Sequence, residues 1–491
     1  MIGAQLRQIA SRNPDHPAII DGDERITYGR LMRRVNGIAA WLRSSLRIRP
    51  GDMVAASLSN SWQFVACFFA VSDLGGVFMP CNPQWRAPEL RGLAVRLGFR
   101  GVICEAQFRG EWDRVGEALD PESVLMLADG TGAWEADCMA DPVPGCQERE
   151  EAPALYLATS GSTGAPRIVP RSHRNLLAGA RNAARALGVS PRRRFLSVVP
   201  FYHSNGFHNC MLMPLMNGAC VVLMRQFIPA VCAELVQRER TDVLIGSPLI
   251  YRLLGDRVAD PDLFSTLNIC ISAGARLPRD EAERWKARFG VRLRQLYGSS
   301  ETNVISIDCS DREPAFGGAG SFVGAPIPEV EVRCLGPGGE PLGTGKTGEL
   351  AVRSPAVMSG YVGEPERNQQ VFHDGFFRTG DLGSIDLDGN LYLSGRIGRV
   401  LNVHATKIDP VEVELAVEAL PGVSACRVDG VPHGREGDVI RARVVTRRNV
   451  AVTRREIIEW CRERLAEYKL PRVIEFVEDL PSTISGKQPE P

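Results

Sequence analysis

Residues 156–167 read Tyr156-Leu157-Ala158-Thr159-Ser160-Gly161-Ser162-Thr163-Gly164-Ala165-Pro166-Arg167, a glycine- and hydroxyl-rich segment that follows an apolar run. The run from Ala154 to Ala158 predicts a short strand. The loop after it offers backbone N–H donors and hydroxyls that suit the oxygens of a polyphosphate, and Arg167 adds a fixed positive charge. A solvated Ser/Gly turn is the alternative. A P-loop is excluded, because the GxxxxGK[ST] pattern does not occur here.

The composition indicates a globular protein of several domains with no general affinity for polyanions. Lys plus Arg and Asp plus Glu both number 58, which argues against nucleic-acid or acidic-membrane partners. The thirteen cysteines are scattered without a CxxC pair, which favours reduced thiols and a cytoplasmic location over disulfides or zinc. The segment Met1 to Pro14 lacks the apolar core of a signal peptide. The longest apolar run, Phe64 to Val71, is too short to span a membrane.

Strands and helices alternate along the first 300 or so residues, which predicts an α/β fold with a parallel sheet. Val54 to Leu58 predicts a strand, and Trp62 to Leu74, apolar nearly all round, predicts a buried helix. A further helix is predicted from Ser172. Residues 105–150 are interpreted as a partly structured connection. From Val323 to Val352, short segments with many Gly and Pro predict a small β-rich subdomain.

Two later segments combine a glycine turn with an acidic residue. The first runs from Gln295 to Thr302 and ends a predicted strand, where ligands bind in α/β folds. Its Tyr297 offers a flat face for an adenine, and Ser300 and Glu301 offer hard oxygens for Mg²⁺. The second places Asp381 after a glycine, where its carboxylate suits a ribose diol. Ordinary surface turns are the alternative for both segments.

Two further segments contain a polar or charged side chain of interest. His203 lies in Phe201-Tyr202-His203-Ser204-Asn205-Gly206, which follows a predicted strand and a proline. Lys487 lies in Leu480-Pro481-Ser482-Thr483-Ile484-Ser485-Gly486-Lys487, and an ammonium on a flexible stem suits charge stabilisation. The alternatives are a packed aromatic turn and a solvated tail lysine, respectively.

Together these segments resemble six motifs of the adenylate-forming enzymes, which include acyl-CoA synthetases, luciferases and the adenylation domains of peptide synthetases. The motifs occur in the family's order over nearly the whole chain. Arg167 stands where the family usually has Lys, and Ser300 stands where Thr is usual. The resemblance implies that ATP phosphates are bound by Thr159, Ser160, Gly161, Ser162, Thr163, Gly164 and Arg167.

The same resemblance implies roles for the other motif residues. The adenine is expected near Gly274, Ala275, Gln295, Tyr297 and Gly298. The ribose is expected at Asp381 and Arg396, and Mg²⁺ at Glu301 beside Ser300. His203 would lie beside the substrate carboxylate, and Lys487 would bridge that carboxylate and the α-phosphate.

Residues 395–414 resemble the family's hinge and the hairpin that follows it. Gly398 replaces the usual Asp or Lys of the hinge and is a permissive pivot. Ala405 replaces a glycine beside the thiol tunnel, and its methyl group would narrow that tunnel. Lys407 keeps a positive charge where Arg is common. These departures bear on thioester formation more than on adenylation.

The implied fold is α/β, with a large N-terminal domain of mixed or parallel sheets between helices, a β-rich subdomain, and a small, mobile α+β C-terminal domain. The large domain is expected over residues 1–396, the hinge over 397–398 and the small domain over 399–491. The small domain would present Lys487 in one orientation and residues 403–407 in another. The sequence leaves the oligomeric state open, a homodimer included.

The implied activity is ATP-dependent conversion of a carboxylic acid to acyl-AMP, followed by transfer to the thiol of CoA. The segment Phe201 to Ser204 lacks the Asp that pairs with an α-ammonium in amino-acid-activating relatives, so we expect an acid without an α-amino group. The alternatives are loading of a carrier protein's phosphopantetheine and an enzyme restricted to one half-reaction. A non-catalytic nucleotide-binding protein is less favoured, because Glu301, Asp381 and Lys487 are all present.

Overall fold

The computed structural model of the 491-residue chain describes residues 1–119, 123–127, 150–159, 166–275, 277, 279–310, 321–397, 401–403, 406–408, 410–433, 438–447, 450–478 and 480. Over these ranges it forms a large α/β domain and a small C-terminal α/β domain, as the sequence predicts. None of the described helices is long and apolar enough to cross a membrane.

The first sheet of the large domain has six strands, of which five are parallel. In spatial order they are Val124–Leu127, Phe99–Glu105, Met53–Ser57, Val77–Pro80, Pro153–Thr159 and Arg167–Ser172. The last strand is antiparallel to its neighbour, because the connection after Thr159 is too short for a parallel crossover. The alternation of strands and helices predicted a parallel sheet, so this antiparallel pairing is a correction.

The second sheet is longer and mixed. In spatial order its strands are Glu331–Leu335, Gly348–Arg353, Phe376–Ile385, Leu391–Arg396, Ser321–Pro326, Asn303–Ile307, Leu293–Ser299, Ile269–Ser272, Val243–Gly246, Arg194–Ser197, Cys220–Leu223, Pro17–Asp21 and Glu24–Thr27, with Phe372–His373 beside Phe376–Ile385. The strands from Leu293–Ser299 to Pro17–Asp21 are parallel. The antiparallel strands from 303 to 396 form the β-rich subdomain, which is larger than the predicted span of 323–352.

The helix Trp62–Asp73 packs between the two sheets, which explains why its sequence is apolar nearly all round. The ring of Phe64 lies 5.4 Å from that of Phe78 in the first sheet and 5.3 Å from that of Phe201, which follows a strand of the second. The predicted helix after Ser172 is also confirmed, and the Ser172 hydroxyl caps it by accepting from the Asn175 N–H at 3.1 Å.

The described part of the large domain contains further helices. They are Ile2–Arg12, Tyr28–Ser45, Ala87–Leu97, Arg109–Asp113, His173–Leu187, Met213–Met216, Pro229–Glu239, Pro248–Arg257, Arg279–Phe289 and Pro365–Val371, with a π-helix at Gly206–Leu212. Short 3₁₀ turns occur at Ala106–Phe108, Gly116–Ala118 and Pro261–Phe264.

The small domain has its own hydrophobic core. A three-stranded sheet of Val423–Pro432, Asp438–Thr446 and Val473–Phe476 packs with helices Pro410–Glu418 and Arg454–Arg462. A separate hairpin pairs Leu401–Val403 with Thr406–Ile408, and a 3₁₀ turn covers Glu467–Lys469.

Candidate active site

A cavity of about 620 Å³ lies where the carboxyl ends of the parallel strands meet the β-rich subdomain and the small domain. The predicted site residues that line it are Thr159, Arg167, His203, Gly274, Gly298, Ser300 and Glu301. The small domain contributes Thr406, Glu412, Tyr468 and Lys469. Residues more than 300 positions apart in the chain, such as Thr159 and Lys469, therefore share one cavity.

Glu301 lies in a tight loop that follows the strand Leu293–Ser299. The Ser299 hydroxyl accepts from the Glu301 N–H at 3.2 Å, and the Thr302 hydroxyl accepts from the Ser299 N–H at 3.2 Å. Gly298 is required at the start of this loop, because a Cβ there would lie 2.1 Å from the Asn303 carbonyl oxygen. The Tyr361 hydroxyl donates to Glu301 Oε1 at 2.8 Å and so orients the carboxylate.

Arg171 supports the same loop from the protein interior. Its side chain is fully buried, and its Nη1 donates to the carbonyl oxygens of Ser300 at 3.2 Å and Glu301 at 2.9 Å. Burial lowers the pKa of Arg171 to about 10, against the opposing effect of Glu301, so the guanidinium stays charged at neutral pH. The peptide carbonyls of the loop are thereby held by a fixed cation.

Arg167 reaches the cavity from the first residue of its strand. Its Nε lies 3.8 Å from Glu364 Oε2, and its guanidinium carbon lies 5.8 Å from the centre of the Tyr361 ring. Arg96 secures the adjacent backbone by donating to the carbonyl oxygens of Pro166 at 2.6 Å and Val362 at 2.8 Å. The side chain of Arg167 thus lines the cavity directly after the segment that is predicted to bind phosphate.

Asp381 and Tyr297 lie together beside the cavity. The Tyr297 hydroxyl donates to Asp381 Oδ2 at 2.8 Å, and the Asp381 N–H donates to the Thr379 hydroxyl at 3.0 Å. The Tyr297 ring is buried and packs against the β-rich subdomain. Asp381 also pairs with the backbone position of Arg396 on the neighbouring strand. The contacts of these residues with ribose and adenine remain predictions.

Gln295 holds the loop that contains Gly274 and Ala275. Its Oε1 accepts from the Leu277 N–H at 2.9 Å, and its Nε2 donates to the Ala275 carbonyl at 3.0 Å. Gly274 lines the cavity with a positive φ of 84°. Both ends of the Gln295 amide are therefore engaged with the loop backbone, and a contact with the adenine amino group remains a prediction.

His203 lies on the cavity wall, before the π-helix. Its ring centre is 4.4 Å from that of Tyr202, and its backbone N–H donates to the Pro200 carbonyl at 3.1 Å. Gly206 is required behind it, because a Cβ there would lie 2.1 Å from the Pro200 oxygen. Burial lowers the pKa of His203 to about 4, so the imidazole is neutral at pH 7. It can form a hydrogen bond with a substrate but does not carry a charge in this state.

Comparison with known proteins identifies the family. A model described as "AMP-binding enzyme" matches residues 6–362, and one described as "AMP-binding enzyme C-terminal domain" matches residues 412–487. The chain belongs to the AMP-binding enzyme family. This AMP-binding enzyme is an adenylate-forming enzyme with the α/β architecture that its sequence predicted.

Curated relatives of this AMP-binding enzyme include two bacterial CoA ligases. A feruloyl-CoA synthase of an Amycolatopsis species is 33% identical over 486 residues, which cover 97% of this chain and 95% of the relative. A 3-[(3aS,4S,7aS)-7a-methyl-1,5-dioxo-octahydro-1H-inden-4-yl]propanoyl:CoA ligase of Rhodococcus jostii is 30% identical over 508 residues, covering 98% and 96%.

Two solved structures of similar proteins cover nearly the whole chain. The amide bond synthetase McbA of Marinactinospora thermotolerans is 28% identical with a TM-score of 0.87, over 99% of this chain and 97% of that one. ATP-bound MatB of Rhodopseudomonas palustris is 26% identical with a TM-score of 0.74, also over 99% and 97%. Membership of the family therefore establishes adenylate formation but does not specify the acceptor of the acyl group.

Several predicted site residues of this AMP-binding enzyme lie outside the described residues. They are Ser160, Gly161, Ser162, Thr163 and Gly164 of the phosphate loop, Gly398 of the hinge, Ala405 of the hairpin, and Lys487. The backbone positions of Arg396 and Lys407 are described, and Lys407 pairs with Asn402 in the hairpin. The roles of all these residues remain predictions.

The sequence interpretation missed four residues that shape the site: Arg171, Tyr361, Arg367 and Lys469. Tyr361 and Arg367 line the cavity, and the Arg367 guanidinium carbon lies 5.8 Å from the centre of the Tyr361 ring. Lys469 lines the cavity from the small domain. No local pattern marked Arg171, Tyr361 or Lys469, because each acts through a partner more than 50 positions away in the chain. Arg367 lies six positions from its partner Tyr361, but it belongs to none of the recognised motifs.

Proposed function

We propose that this protein activates a carboxylic acid without an α-amino group as acyl-AMP, and then transfers the acyl group to the thiol of CoA. The observation that carries the proposal is the shared cavity, which is lined by Arg167, Glu301 and His203 together with residues of the small domain. The curated relatives that act as CoA ligases support the choice of CoA as acceptor.

In the first step a carboxylate oxygen of the acid attacks the α-phosphorus of ATP, and pyrophosphate leaves. Ser160, Ser162, Thr163 and Arg167 would hold the β- and γ-phosphates, and Asp381 would accept hydrogen bonds from the ribose hydroxyls. The neutral His203 would donate a hydrogen bond to the acid and orient it. No protein nucleophile is needed, so positioning and charge stabilisation provide the catalysis.

The residues around Glu301 fit a magnesium ion. A carboxylate oriented by the Tyr361 hydroxyl, beside the Ser300 hydroxyl, is a hard-oxygen donor set of the kind that Mg²⁺ prefers. When bound with ATP, the ion would neutralise charge on the phosphate oxygens. Arg171 would hold the Ser300 and Glu301 peptides still beneath it.

In the second step the sulfur of the thiol attacks the acyl carbon, AMP leaves, and the thiol proton is released. The hairpin with Thr406 faces the cavity, which agrees with the orientation that the family resemblance implies for thioester formation. Ala405 and Lys407 would flank the entering thiol. The small domain would present Lys487 in a different orientation during the first step.

The acid would lie between the π-helix and the ends of the parallel strands. That wall contains Asn205, Asn209, Ser247, Ile250 and Ala273, and Asn209 donates to Asn205 Oδ1 at 2.9 Å. No carboxylate occurs among the described lining residues from Val199 to Gly274, which disfavours an amino acid. Two amides and a hydroxyl favour an acid whose body carries polar substituents.

The direct test is pyrophosphate release from ATP with a panel of acids, measured with and without CoA. The panel pairs aryl acids that carry or lack hydroxyl groups, with amino acids as negative controls. We expect release with at least one polar-substituted acid, and formation of acyl-CoA and AMP when CoA is added. ATP binding without release for any acid would instead support a non-catalytic nucleotide-binding protein.

Lys487→Ala tests the first step in particular. We expect acyl-AMP formation to fall by roughly 10²–10³-fold, the effect of losing one charge aimed at the transition state. The measurement is single-turnover release of pyrophosphate, with transfer from synthetic acyl-AMP to CoA as the control. Undiminished acyl-AMP formation would refute this role.

An amine is the second candidate acceptor, because the amide bond synthetase McbA resembles this chain over nearly its whole length. Synthetic acyl-AMP offered CoA, a phosphopantetheinylated carrier protein or a primary amine, each alone and then in competition, separates these acceptors. Preferential amide formation would replace CoA in the proposal. Pyrophosphate release with no transfer to any of them would indicate an enzyme restricted to the first half-reaction.

A further inference from the structure

The small domain packs against the large domain through the turn Glu467–Lys469, in which Lys469 is buried, and through the residue before it. Ala466 is fully buried in the hydrophobic cluster of the six-stranded sheet, and Tyr468 packs against both that cluster and the core of the small domain. The turn also forms part of the cavity wall, through Tyr468 and Lys469. This contact between the domains is therefore part of the active site.

Lys469 occupies a charged cluster at the centre of this contact. Its ammonium lies 2.9 Å from Glu89 Oε1 in the large domain and 2.7 Å from Glu412 Oε1 in the small domain. The side chain of Lys469 is 6% exposed, and those of Glu89 and Glu412 are 11% exposed. A cation shared at this depth between two carboxylates interacts strongly, because little water screens it.

The choice of lysine here stands out against the rest of the chain, which contains 53 arginines and only five lysines. An ammonium can donate in three directions from one small atom, whereas a guanidinium is larger and planar. The two carboxylates approach Lys469 from separate helices, Ala87–Leu97 and Pro410–Glu418. Lysine therefore fits this cluster better than the basic residue that the chain otherwise uses.

The cluster is built so that its two halves can separate. Lys469 and Glu412 belong to the same domain and would stay paired if the small domain moved away. Glu89 would keep a partner as well, because its Oε2 accepts from the Arg86 N–H at 3.1 Å at the start of its helix. Of the two ion pairs of Lys469, the one with Glu89 depends on the orientation of the two domains.

We propose that Lys469 is a positioning residue for the second half-reaction, which it serves by binding Glu89 and holding the small domain in the orientation that closes the acceptor side of the cavity. This inference rests on the proposed function, since it assumes transfer from acyl-AMP to an acceptor. The hairpin residue Thr406 lines the cavity in the same orientation. Lys469 thus acts on the reaction through domain position and not through contact with the reacting atoms.

Glu89→Gln is the decisive variant, because its amide oxygen still caps the helix while its negative charge is lost. We expect transfer from preformed acyl-AMP to the acceptor to slow by about tenfold or more, the scale of weakening one buried ion pair. Acyl-AMP formation, followed by single-turnover pyrophosphate release, should change by less than about twofold, since it needs the other orientation. A purely structural role would slow both steps alike.

Glu467→Gln is the matched control on the same turn, because Glu467 forms only an exposed pair with Arg462 at 3.7 Å. We expect the rates of both half-reactions in Glu467→Gln to match those of the wild type. Lys469→Met should slow transfer more than Glu89→Gln, and Lys469→Arg should recover part of that loss. Equal slowing of both steps in Glu89→Gln, or an unchanged or faster transfer step, overturns the proposal.

Hydrogen–deuterium exchange separates this inference from the proposed function. Peptides covering 85–90 and 466–470 should exchange faster in Glu89→Gln than in wild type or Glu467→Gln, whatever the enzyme's substrate. If wild-type protein releases no pyrophosphate with any acid, the proposed function fails, while the exchange result still reports on the domain contact. Unchanged exchange in Glu89→Gln overturns the role of Lys469 even when the enzyme is active.

Discussion

Arg171 and Lys469 are two buried cationic side chains beside the cavity, and they are held in opposite ways. Arg171 donates to neutral peptide carbonyls within one domain, and burial lowers its pKa to about 10. Lys469 binds carboxylates from two domains; although burial opposes it, its neighbours Tyr468, Glu412 and Glu89 raise its pKa. The first arrangement fixes a loop permanently, whereas the second forms a contact that can open.

The comparison predicts that the largest effect comes from Arg171→Met. This change leaves the Ser300 carbonyl without its donor and frees the Glu301 loop, so we expect kcat/KM for pyrophosphate release to fall by roughly 10²-fold or more. Loss of the buried hydrogen bonds should also lower the free energy of unfolding by about 1–3 kcal/mol. Pyrophosphate release and denaturant unfolding measure the two effects.

Arg171→Lys is the companion variant, since it keeps the charge but cannot reach both carbonyls with the same geometry. Its kcat/KM for pyrophosphate release and its free energy of unfolding should lie between those of the wild type and of Arg171→Met. If Arg171→Met slows only the transfer step, Arg171 is not a fixed support of the Glu301 loop, because such a support must affect adenylation. The proposed difference between Arg171 and Lys469 would then be wrong.

Tyr361→Phe is expected to have an intermediate effect. It removes the 2.8 Å hydrogen bond to Glu301 but leaves the ring next to Arg167 and Arg367. A hydrogen bond to a charged group contributes about 1.5–3 kcal/mol, which corresponds to a loss of roughly 10- to 100-fold in kcat/KM. The loss should appear as a higher Mg²⁺ requirement, measured by titrating Mg²⁺ at constant ATP. An unchanged Mg²⁺ dependence would remove Glu301 as the metal ligand.

The smallest effect is expected for the pH dependence of stability at His203. Burial lowers the pKa of His203 to about 4 in the folded protein, whereas the unfolded chain takes up its proton near pH 6.5. Between these two pH values the unfolded state binds more protons than the folded state. His203 therefore does not reduce the free energy of unfolding above about pH 6.5, and that free energy falls as the pH drops towards 4. At pH 5 the expected loss is about 1–2 kcal/mol.

His203→Gln checks this effect, since an amide can replace the hydrogen bonds of imidazole but does not titrate. Unfolding by denaturant at pH 7 and pH 5 should show a smaller decrease for the variant than for the wild type. Equal decreases would mean that His203 is protonated in the folded state. An interaction with a bound acid should also raise the pKa of His203, which would reduce the loss.

The sequence predicted those parts of the fold that depend on local pattern. The buried helix Trp62–Asp73 and the capped helix after Ser172 were predicted because apolar spacing and capping chemistry are local signals. The antiparallel strand Arg167–Ser172 and the extent of the β-rich subdomain were not predicted. Strand pairing is settled by partners elsewhere in the chain, and no local signal specified it.

The candidate site shows the same division between motif residues and the residues that support them. Glu301 and His203 were predicted because each lies in a motif with recognisable chemistry. Arg171 and Lys469 were missed, since a basic residue in an ordinary segment gives no sign that it will be buried. Gln295 was predicted for the adenine, yet its amide holds the Ala275 loop, a partnership that only the folded chain reveals.

The pairing of the Lys469 ammonium with two carboxylates has a chemical consequence for an enzyme that makes acyl-AMP. A mixed anhydride of this kind acylates free amines and thiols, including those of the protein that produces it. No cysteine occurs among the described residues that line the cavity, and Lys469 is the one primary amine among them. Because its neighbours keep that amine protonated, it is a poor nucleophile, and the enzyme is protected from self-acylation at this lysine.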